Sequence, residues 1–227
     1  GVDARISRSK GGGKVIDLAA GSVPGSQPIG VALRQHGDDG SKAYRIPGMV
    51  RTNKGSLIAV YDIRYAHAGD LPADIDVGVS CSTDGGKTWE PMQVAMDMGK
   101  GAGNGVGDPC VFVDRVTGRI WIAALWSPGN RGWHGSGPGL KPSQTGQLVL
   151  VSSDDDGKTW SKPINITEQV KDPAWRLLLD GPGAGITMND GTLVFPAQYR
   201  AADVYHQYIS SVVPFPLCFS KHLSQRS

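Results

Sequence analysis

The sequence contains few of the residues that bind metals or form disulfides, and it has no long apolar run. There are three cysteines and five histidines among 227 residues. Cys81, Cys110 and Cys218 are odd in number and widely spaced, which favours neither a disulfide framework nor a metal site. Cys81 and Cys110 lie in apolar runs, so we predict buried free thiols there. A transmembrane helix needs about 18 consecutive apolar residues, and no such run is present. We therefore predict no metal, no other cofactor and no membrane span.

The net charge and the first residues of the chain bear on its partners and on its place in a longer protein. The formal net charge is +2, which gives no reason to expect nucleic acid or an anionic membrane as a partner. Gly1 onward shows no secretory signal pattern, so either a signal has been removed or the chain begins within a longer protein. Residues 1–28 are polar and rich in Gly and Ser, and we predict a linker or the end of a preceding domain.

Amphipathic helical patterns are also scarce, and only residues 167–179 could hold a short helix. In their place the chain has 32 Gly and 15 Pro, which separate short strand-like runs by turn signals. These runs are 29–34, 48–52, 56–62, 75–81, 110–114, 119–125, 147–152, 185–188 and 192–198. Short antiparallel strands at this spacing predict an all-β fold built from propeller blades. We assign residues 29–199 to the blades and residues 200–227 to a divergent tail without clean alternation.

One pattern, Ser-x-Asp-x-Gly-x-Thr-Trp, occurs twice, at 82–89 and at 153–160. Each copy follows an apolar, alternating run, so each is predicted to be the turn of a hairpin. The aspartate can accept bonds from backbone N–H groups, the glycine tolerates positive φ, and the tryptophan is a large apolar plug on the returning strand. The residues expected to hold the turns are Asp84 and Trp89 in the first copy and Asp155 and Trp160 in the second. The repeat predicts structure rather than catalysis.

Behind the motif Tyr44-Arg45-Ile46-Pro47, these two copies resemble the Asp-boxes, or BNR repeats, of the sialidase-like β-propellers. The resemblance is to bacterial exo-α-sialidases (neuraminidases) and covers about residues 30–198. It implies a six-bladed propeller of which this chain contains about the first half. It also implies hydrolysis of terminal α-linked sialic acids from glycoconjugates with retention of configuration. Sialylated glycans would be the partners, and the location would be secreted, periplasmic or at the cell surface.

The resemblance gives Arg45 and Asp70 the central roles. Arg45 matches one of three arginines that clamp the carboxylate of sialic acid, since a guanidinium pairs bidentately with a carboxylate. Asp70 lies in the loop after Tyr61-Asp62-Ile63-Arg64 and matches the acid/base aspartate, with Asp74 as the runner-up. A general acid needs a raised pKa, which an apolar wall over Asp70 would provide. Without the resemblance, Arg45 could be a plain surface charge and Asp70 an ordinary turn residue.

Further binding residues follow from the same resemblance. Arg64 matches a residue that contacts a sugar hydroxyl, and Asp108 matches one near the 4-hydroxyl. Trp126 and Trp133 are placed at the apolar pocket for the N-acetyl group, and Gln147 near the glycerol or acetyl region. Core packing is the competing explanation for the tryptophans and the preferred one for Trp121. Asp62 is expected to stabilise the strand end.

The other half of the catalytic machinery has no match in the sequence. Sialidases use a tyrosine nucleophile assisted by a glutamate. Glu168 lies beside the second box, and Tyr199, Tyr205 and Tyr208 lack the family context, so none is assigned, and this chain alone is expected to be inactive. Two alternatives share the same first half. One is trans-sialidase transfer, and the other is a non-catalytic Asp-box propeller that binds glycans or proteins.

Overall fold

The computed structural model describes residues 5–6, 14–17, 31–201 and 208–215, and nearly all of its regular structure is β. The strands are β1 (Arg5–Ile6), β2 (Lys14–Asp17), β3 (Val31–Ala32), β4 (Ala43–Arg51), β5 (Leu57–Arg64), β6 (Ile75–Ser82), β7 (Gln93–Met96), β8 (Val106–Val113), β9 (Ile120–Trp126), β10 (Gln147–Ser153), β11 (Ile164–Asn165), β12 (Leu177–Asp180), β13 (Gly183–Ala184), β14 (Ile186–Thr187), β15 (Leu193–Arg200) and β16 (Tyr208–Phe215). Within these ranges the helices are a 3-10 turn at Asp38–Gly40 and one α-helical turn, α1 (Thr167–Val170). None of the described helices is long and apolar enough to cross a membrane.

The strands form four mostly antiparallel sheets. A small sheet contains β1, β2 and β3, and the first blade is the meander β4-β5-β6-β7. The second blade is the meander β8-β9-β10-β11, with the short β13 added in parallel beside β8. In the third, β15 pairs with β12 and β14 on one side and with β16 on the other. Across the described ranges the regular structure is nearly all β, as predicted, and the sheets do not close into a ring.

The predicted helix at 167–179 is wrong beyond its first turn. It ends at Val170, and Leu177–Asp180 is instead a strand that pairs with β15. All four residues of this strand are buried. A strand buried on both faces is a continuous apolar run, which periodicity cannot distinguish from a buried helix. The short strands β7 and β11 were likewise not predicted.

Two predicted segments lie mostly outside the described residues. In the predicted linker, β1 and β2 pair with each other, and β2 pairs with β3. In the predicted tail, β16 pairs with β15 along eight residues, from Leu193↔Phe215 to Arg200↔Tyr208. Apart from Ala201, the rest of both segments, including Tyr205 and Cys218, lies outside the described residues.

Two clusters of buried side chains hold neighbouring blades together. The first joins the first and second blades and includes Ile58, Val60, Val77, Val79, Val111, Ile122 and Val149. The second joins the second and third blades, where the rings of Phe112 and Phe195 stack at 5.2 Å. Trp121 packs in this second cluster with 8% exposure, as predicted. Cys81 and Cys110 are buried free thiols, which is also as predicted. The second blade is therefore apolar on both faces, because each face is covered by another blade.

The two Asp-boxes have the same hydrogen-bonded turn. In the first box, Ser82 Oγ donates to Asp84 at 2.9 Å and accepts from the backbone N–H of Gly86 at 2.9 Å. Asp84 also accepts from the backbone N–H and the hydroxyl of Thr88, at 2.9 and 2.6 Å. These bonds from Thr88 lower the pKa of Asp84 to about 2. The second box repeats the network around Asp155, whose pKa is also lowered to about 2 by its threonine.

The second box also joins two blades. Asp156, at φ 67°, accepts a hydrogen bond of 2.6 Å from the Ser56 hydroxyl of the first blade. Gly157 lies so close to that blade that a Cβ would be 2.8 Å from Ile58. The position of Asp156 is occupied in the first box by Gly85, also at positive φ. Aspartate is one of the few residues besides glycine that tolerates this conformation, so the second box can form the turn and the contact between blades.

We expect Ser56→Ala to lower the free energy of unfolding by about 1–2 kcal/mol, because it leaves the part-buried Asp156 carboxylate without this partner. Urea unfolding followed by tryptophan fluorescence measures the change. The control is Ser143→Ala on an exposed loop, where a change within about 0.5 kcal/mol is expected. In an Asp156→Gly background, Ser56→Ala should cost almost nothing further. A full additional loss in that background would contradict the assignment of this contact.

Candidate active site

The site lies where the inner strands of two blades are interrupted by bulges. The register of β4 shifts between Arg45 and Gly48, and that of β8 shifts between Gly107 and Cys110. Bulges redirect side chains and are frequent beside active sites. The inserted residues Ile46 and Asp108 have φ of 56° and 59°. A β-branched residue such as isoleucine rarely adopts this conformation, so the surrounding structure must hold it there.

A buried ion pair connects the first blade to the second bulge. Arg64 donates from Nε and Nη2 to Asp62 Oδ2 at 3.0 and 2.7 Å, and each of the two residues is 1% exposed. The other oxygen of Asp62 accepts from the backbone N–H of Asp108 at 2.9 Å. Burial raises the pKa of Asp62 to about 7, with the charge of Asp108 adding to the rise and Arg64 opposing it. Asp62 thus organises the centre of the site, a larger role than the strand-end stabilisation predicted from sequence.

Two arginines meet at Asp70. Arg45 Nη1 and Arg64 Nη1 donate to the same oxygen, Asp70 Oδ1, at 2.9 and 2.8 Å. Each Nη1 also donates to the carbonyl of Ala68 at 2.9 Å. The side chain of Asp70 is 73% exposed and that of Arg45 is 43% exposed. The hydrogen bond from Arg64, together with both arginine charges, lowers the pKa of Asp70. The condition for a raised pKa, an apolar wall over Asp70, is therefore not met in this state, because guanidinium groups contact the exposed carboxylate instead.

The loop that carries Asp70 is anchored at its next residue. Leu71 packs against an apolar cluster of the second and third blades, whose buried members are Leu125, Leu177 and Leu179, and Trp133 packs against the same cluster. Two glycines of the second blade approach the loop so closely that side chains would collide with it. A Cβ at Gly105 would be 2.0 Å from the Ala73 carbonyl oxygen, and one at Gly132 would be 3.0 Å from that of Leu71. Trp133 therefore packs against the same cluster as the loop that carries Asp70.

The geometry separates Asp70 from the runner-up Asp74. Asp74 Oδ1 accepts the backbone N–H of Gly101 at 2.9 Å. No arginine bond to Asp74 is found among the described residues, whereas Asp70 receives two. The structure thus brings together Arg45, Arg64 and Asp70, with Asp62 and Asp108 beside them, and the roles predicted for these residues stay predictions.

The remaining predicted binding residues are less accessible. Gln147 is 1% exposed, donates to the carbonyls of Thr145 and Leu140, and accepts from Asn165 at 2.8 Å. A sugar would have to replace one of these bonds. Trp126 is partly buried and packs against the cluster between the first and second blades. Arg64 makes four N–H bonds to Asp62, Ala68 and Asp70, so at most one N–H is left for a hydroxyl.

Asp180 is a buried acid that the sequence analysis missed. It ends β12 with 0% exposure, and neither of its carboxyl oxygens has a hydrogen-bond partner in the described part of the chain. Burial raises its pKa well above the ordinary value, and the charges of Asp108 and Asp62 add to the rise. In Asp180-Gly181-Pro182-Gly183, as in Arg45-Ile46-Pro47-Gly48, a charged residue comes two positions before Pro-Gly. This shared pattern was the sequence signal that could have identified Asp180. Among the described residues no group of acids, histidines and cysteines is arranged to hold a metal ion.

Comparisons with known proteins agree with this architecture. The chain matches the BNR repeat-like domain over residues 46–217. It is 56% identical to a sialidase of Bacteroides fragilis over 179 residues, which are 75% of this chain and 33% of that protein. The structure of a Hadza microbial sialidase is 51% identical, with a TM-score of 0.77, and the match covers 83% of this chain and 40% of that one. A leech intramolecular trans-sialidase shares the fold at 16% identity, with a TM-score of 0.65 over 80% of this chain and 45% of that one.

The match covers most of this chain but only part of the relatives. This chain spans about a third of the length of the Bacteroides fragilis relative. Within that extent, the Asp-boxes, the bulged inner strands and the meander sheets are all present. The chain therefore belongs to the BNR repeat-like domain family and contains part of a sialidase-type β-propeller.

Proposed function

We propose that the complete protein is a retaining exo-α-sialidase that removes terminal α-linked sialic acids from glycoconjugates. The observation that carries this proposal is the convergence of Arg45 and Arg64 on Asp70 at the bulged ends of two blades. A permanently charged, partly exposed guanidinium suits the carboxylate on the anomeric carbon of sialic acid, and binding there would orient the reacting centre. The adjacent carboxyl group can then exchange protons with the glycosidic oxygen. The 56% identity to a sialidase supports the same assignment.

Each residue of the site has a separate role in the proposed reaction. Arg45 clamps the carboxylate, and Arg64 holds Asp70 in place with one N–H left for a sugar hydroxyl. Asp70 donates a proton to the leaving oxygen as the glycosidic bond breaks, and it later accepts a proton from the attacking water. Asp108, whose pKa is raised by burial, interacts with the charges of Arg64, Asp70 and Arg45 and would bind near the 4-hydroxyl. The nucleophilic tyrosine and its glutamate are not assigned to any residue of this chain. None of these steps needs a metal or another cofactor.

Substrate and location follow from the same chemistry. Sialylated glycans and glycoconjugates are the proposed substrates. Because such glycans are displayed outside cells, we propose a secreted, periplasmic or cell-surface location. Hydrolysis and transfer to a sugar acceptor use the same Arg45 and Asp70, so both reactions are measured in the test.

The test uses a completed protein, in which residues 31–200 of this chain replace the matching segment of the Bacteroides fragilis sialidase. We expect this completed protein to release the fluorophore from an aryl sialoside and free sialic acid from sialyllactose. Residues 1–227 alone should show neither activity, because no nucleophile is assigned in them. Binding of sialic acid without any release would instead indicate a glycan-binding propeller. Product formation only in the presence of a sugar acceptor would indicate a trans-sialidase.

A further inference from the structure

The state described here is one in which Asp70 cannot act as a general acid. A general acid must carry a proton before the glycosidic oxygen receives it. Asp70 Oδ1 instead accepts N–H bonds from two guanidinium groups, and such bonds favour the ionised carboxylate. The protonation of Asp70 must therefore change between this state and the reaction.

The hydrogen-bond capacity of Arg45 indicates what changes. Nη1 has two hydrogens, and both are in use, one on the carbonyl of Ala68 and one on Asp70. Nε–H and the two Nη2 hydrogens stay available to a carboxylate that binds side-on, but a carboxylate that binds end-on through Nη1 and Nη2 must replace one of these acceptors. The carbonyl belongs to the loop backbone and is shared with Arg64. The side chain of Asp70 is 73% exposed and can rotate into solvent. Asp70 is therefore the acceptor that a substrate displaces more easily.

The charges around Asp70 also favour its displacement from Arg45 when a substrate binds. The charged groups that interact with it are Arg45 from β4, Arg64 from β5 with Asp62 behind it, and Asp108 from β8. Three carboxyl groups thus lie beside two guanidinium groups. A substrate adds a fourth carboxylate and neutralises Arg45, so an ionised Asp70 loses a favourable partner and gains a like charge.

We propose that the carboxylate of the sialoside replaces Asp70 on Arg45, and that Asp70 takes up one proton from solvent as part of this exchange. Binding of the substrate thus causes Asp70 to take up the proton that it later donates to the same substrate. The proton goes from water to Asp70 and afterwards to the glycosidic oxygen. This proposal rests on the proposed function and specifies how the same site is regulated.

Calorimetry on the completed protein tests the exchange, with N-acetylneuraminic acid as the probe. Binding is measured in buffers of different ionisation enthalpy from about pH 4 to about pH 7, which reports the protons taken up per ligand. Proton uptake should be near zero at pH values below the pKa of Asp70 in the free protein. It should also be near zero at pH values above the pKa of Asp70 in the complex. Between the two values it should approach one proton, and Kd should rise by up to about tenfold per pH unit as the pH rises.

Two controls isolate the source of the proton. Asp70→Asn keeps the shape of the exposed side chain and should bind the probe without proton uptake. The methyl ester of the probe keeps the sugar but lacks the charge, so it should bind more weakly and also without uptake.

The outcomes are distinguishable. Uptake by the parent protein that disappears in Asp70→Asn supports the proposal. Binding without uptake at any pH overturns it, and so does uptake that persists in Asp70→Asn, which would place the proton on Asp62 or Asp108. A folded completed protein that does not bind the probe at all contradicts the proposed function itself.

Discussion

Replacing Arg45 with alanine in the completed protein should lower kcat/KM for sialosides by several orders of magnitude without loss of the folded state. The residue is partly exposed and contributes to the site through Asp70 and the substrate rather than through the core. Arg45→Lys should restore little of the activity, because a point charge on a flexible chain cannot reproduce the bidentate, planar geometry of a guanidinium. Initial rates on an aryl sialoside, with circular dichroism to verify folding, measure both effects.

A matched control is available on the same strand. Arg51 lies at the far end of β4 and is exposed, so Arg51→Ala removes one arginine without touching the site. Activity close to that of the parent protein is expected for this variant. Near-normal activity in Arg45→Lys would show that Arg45 supplies only charge, and the clamp assignment would then be wrong.

Replacing Asp70 with asparagine should affect natural and activated substrates unequally. An aryl leaving group departs with little protonation, whereas a sugar leaving group needs a proton from a general acid. We expect kcat/KM on sialyllactose to fall by about 100- to 10,000-fold and that on an aryl sialoside by roughly tenfold or less. Release of sialic acid from both substrates at one pH gives the ratio directly.

Asp74→Asn is the control for this experiment, since Asp74 lies in the same loop but bonds to the backbone of Gly101. Its ratio between the two substrates should equal that of the parent protein. Equal losses on both substrates in Asp70→Asn would assign Asp70 a structural role. A selective loss in Asp74→Asn would move the acid to that residue.

Local patterns in the sequence determined much of the fold. Alternation of apolar and polar residues, interrupted by glycine and proline turns, identified the long strands of the first two blades and β15. The turns of the two Asp-boxes could be predicted from the sequence because their hydrogen bonds are local. In the first box, Asp84 bonds to Ser82 and Thr88, all within seven residues. Arg45 and Asp70 were readable only through the resemblance, because an arginine before Ile-Pro and an aspartate in a loop carry no distinctive pattern by themselves.

The tertiary structure alone decided the features that join distant parts of the chain. Asp62 bonds to the backbone of Asp108, which is 46 residues away, and Ser56 bonds to Asp156, which is 100 residues away. The apolar run at 177–179 forms a buried strand, and Asp180 at its end is fully buried. The physical reason is the same in each case. Turn chemistry and periodicity act over a few residues, whereas the partner of a buried carboxyl group depends on which strands become neighbours after the blades have packed.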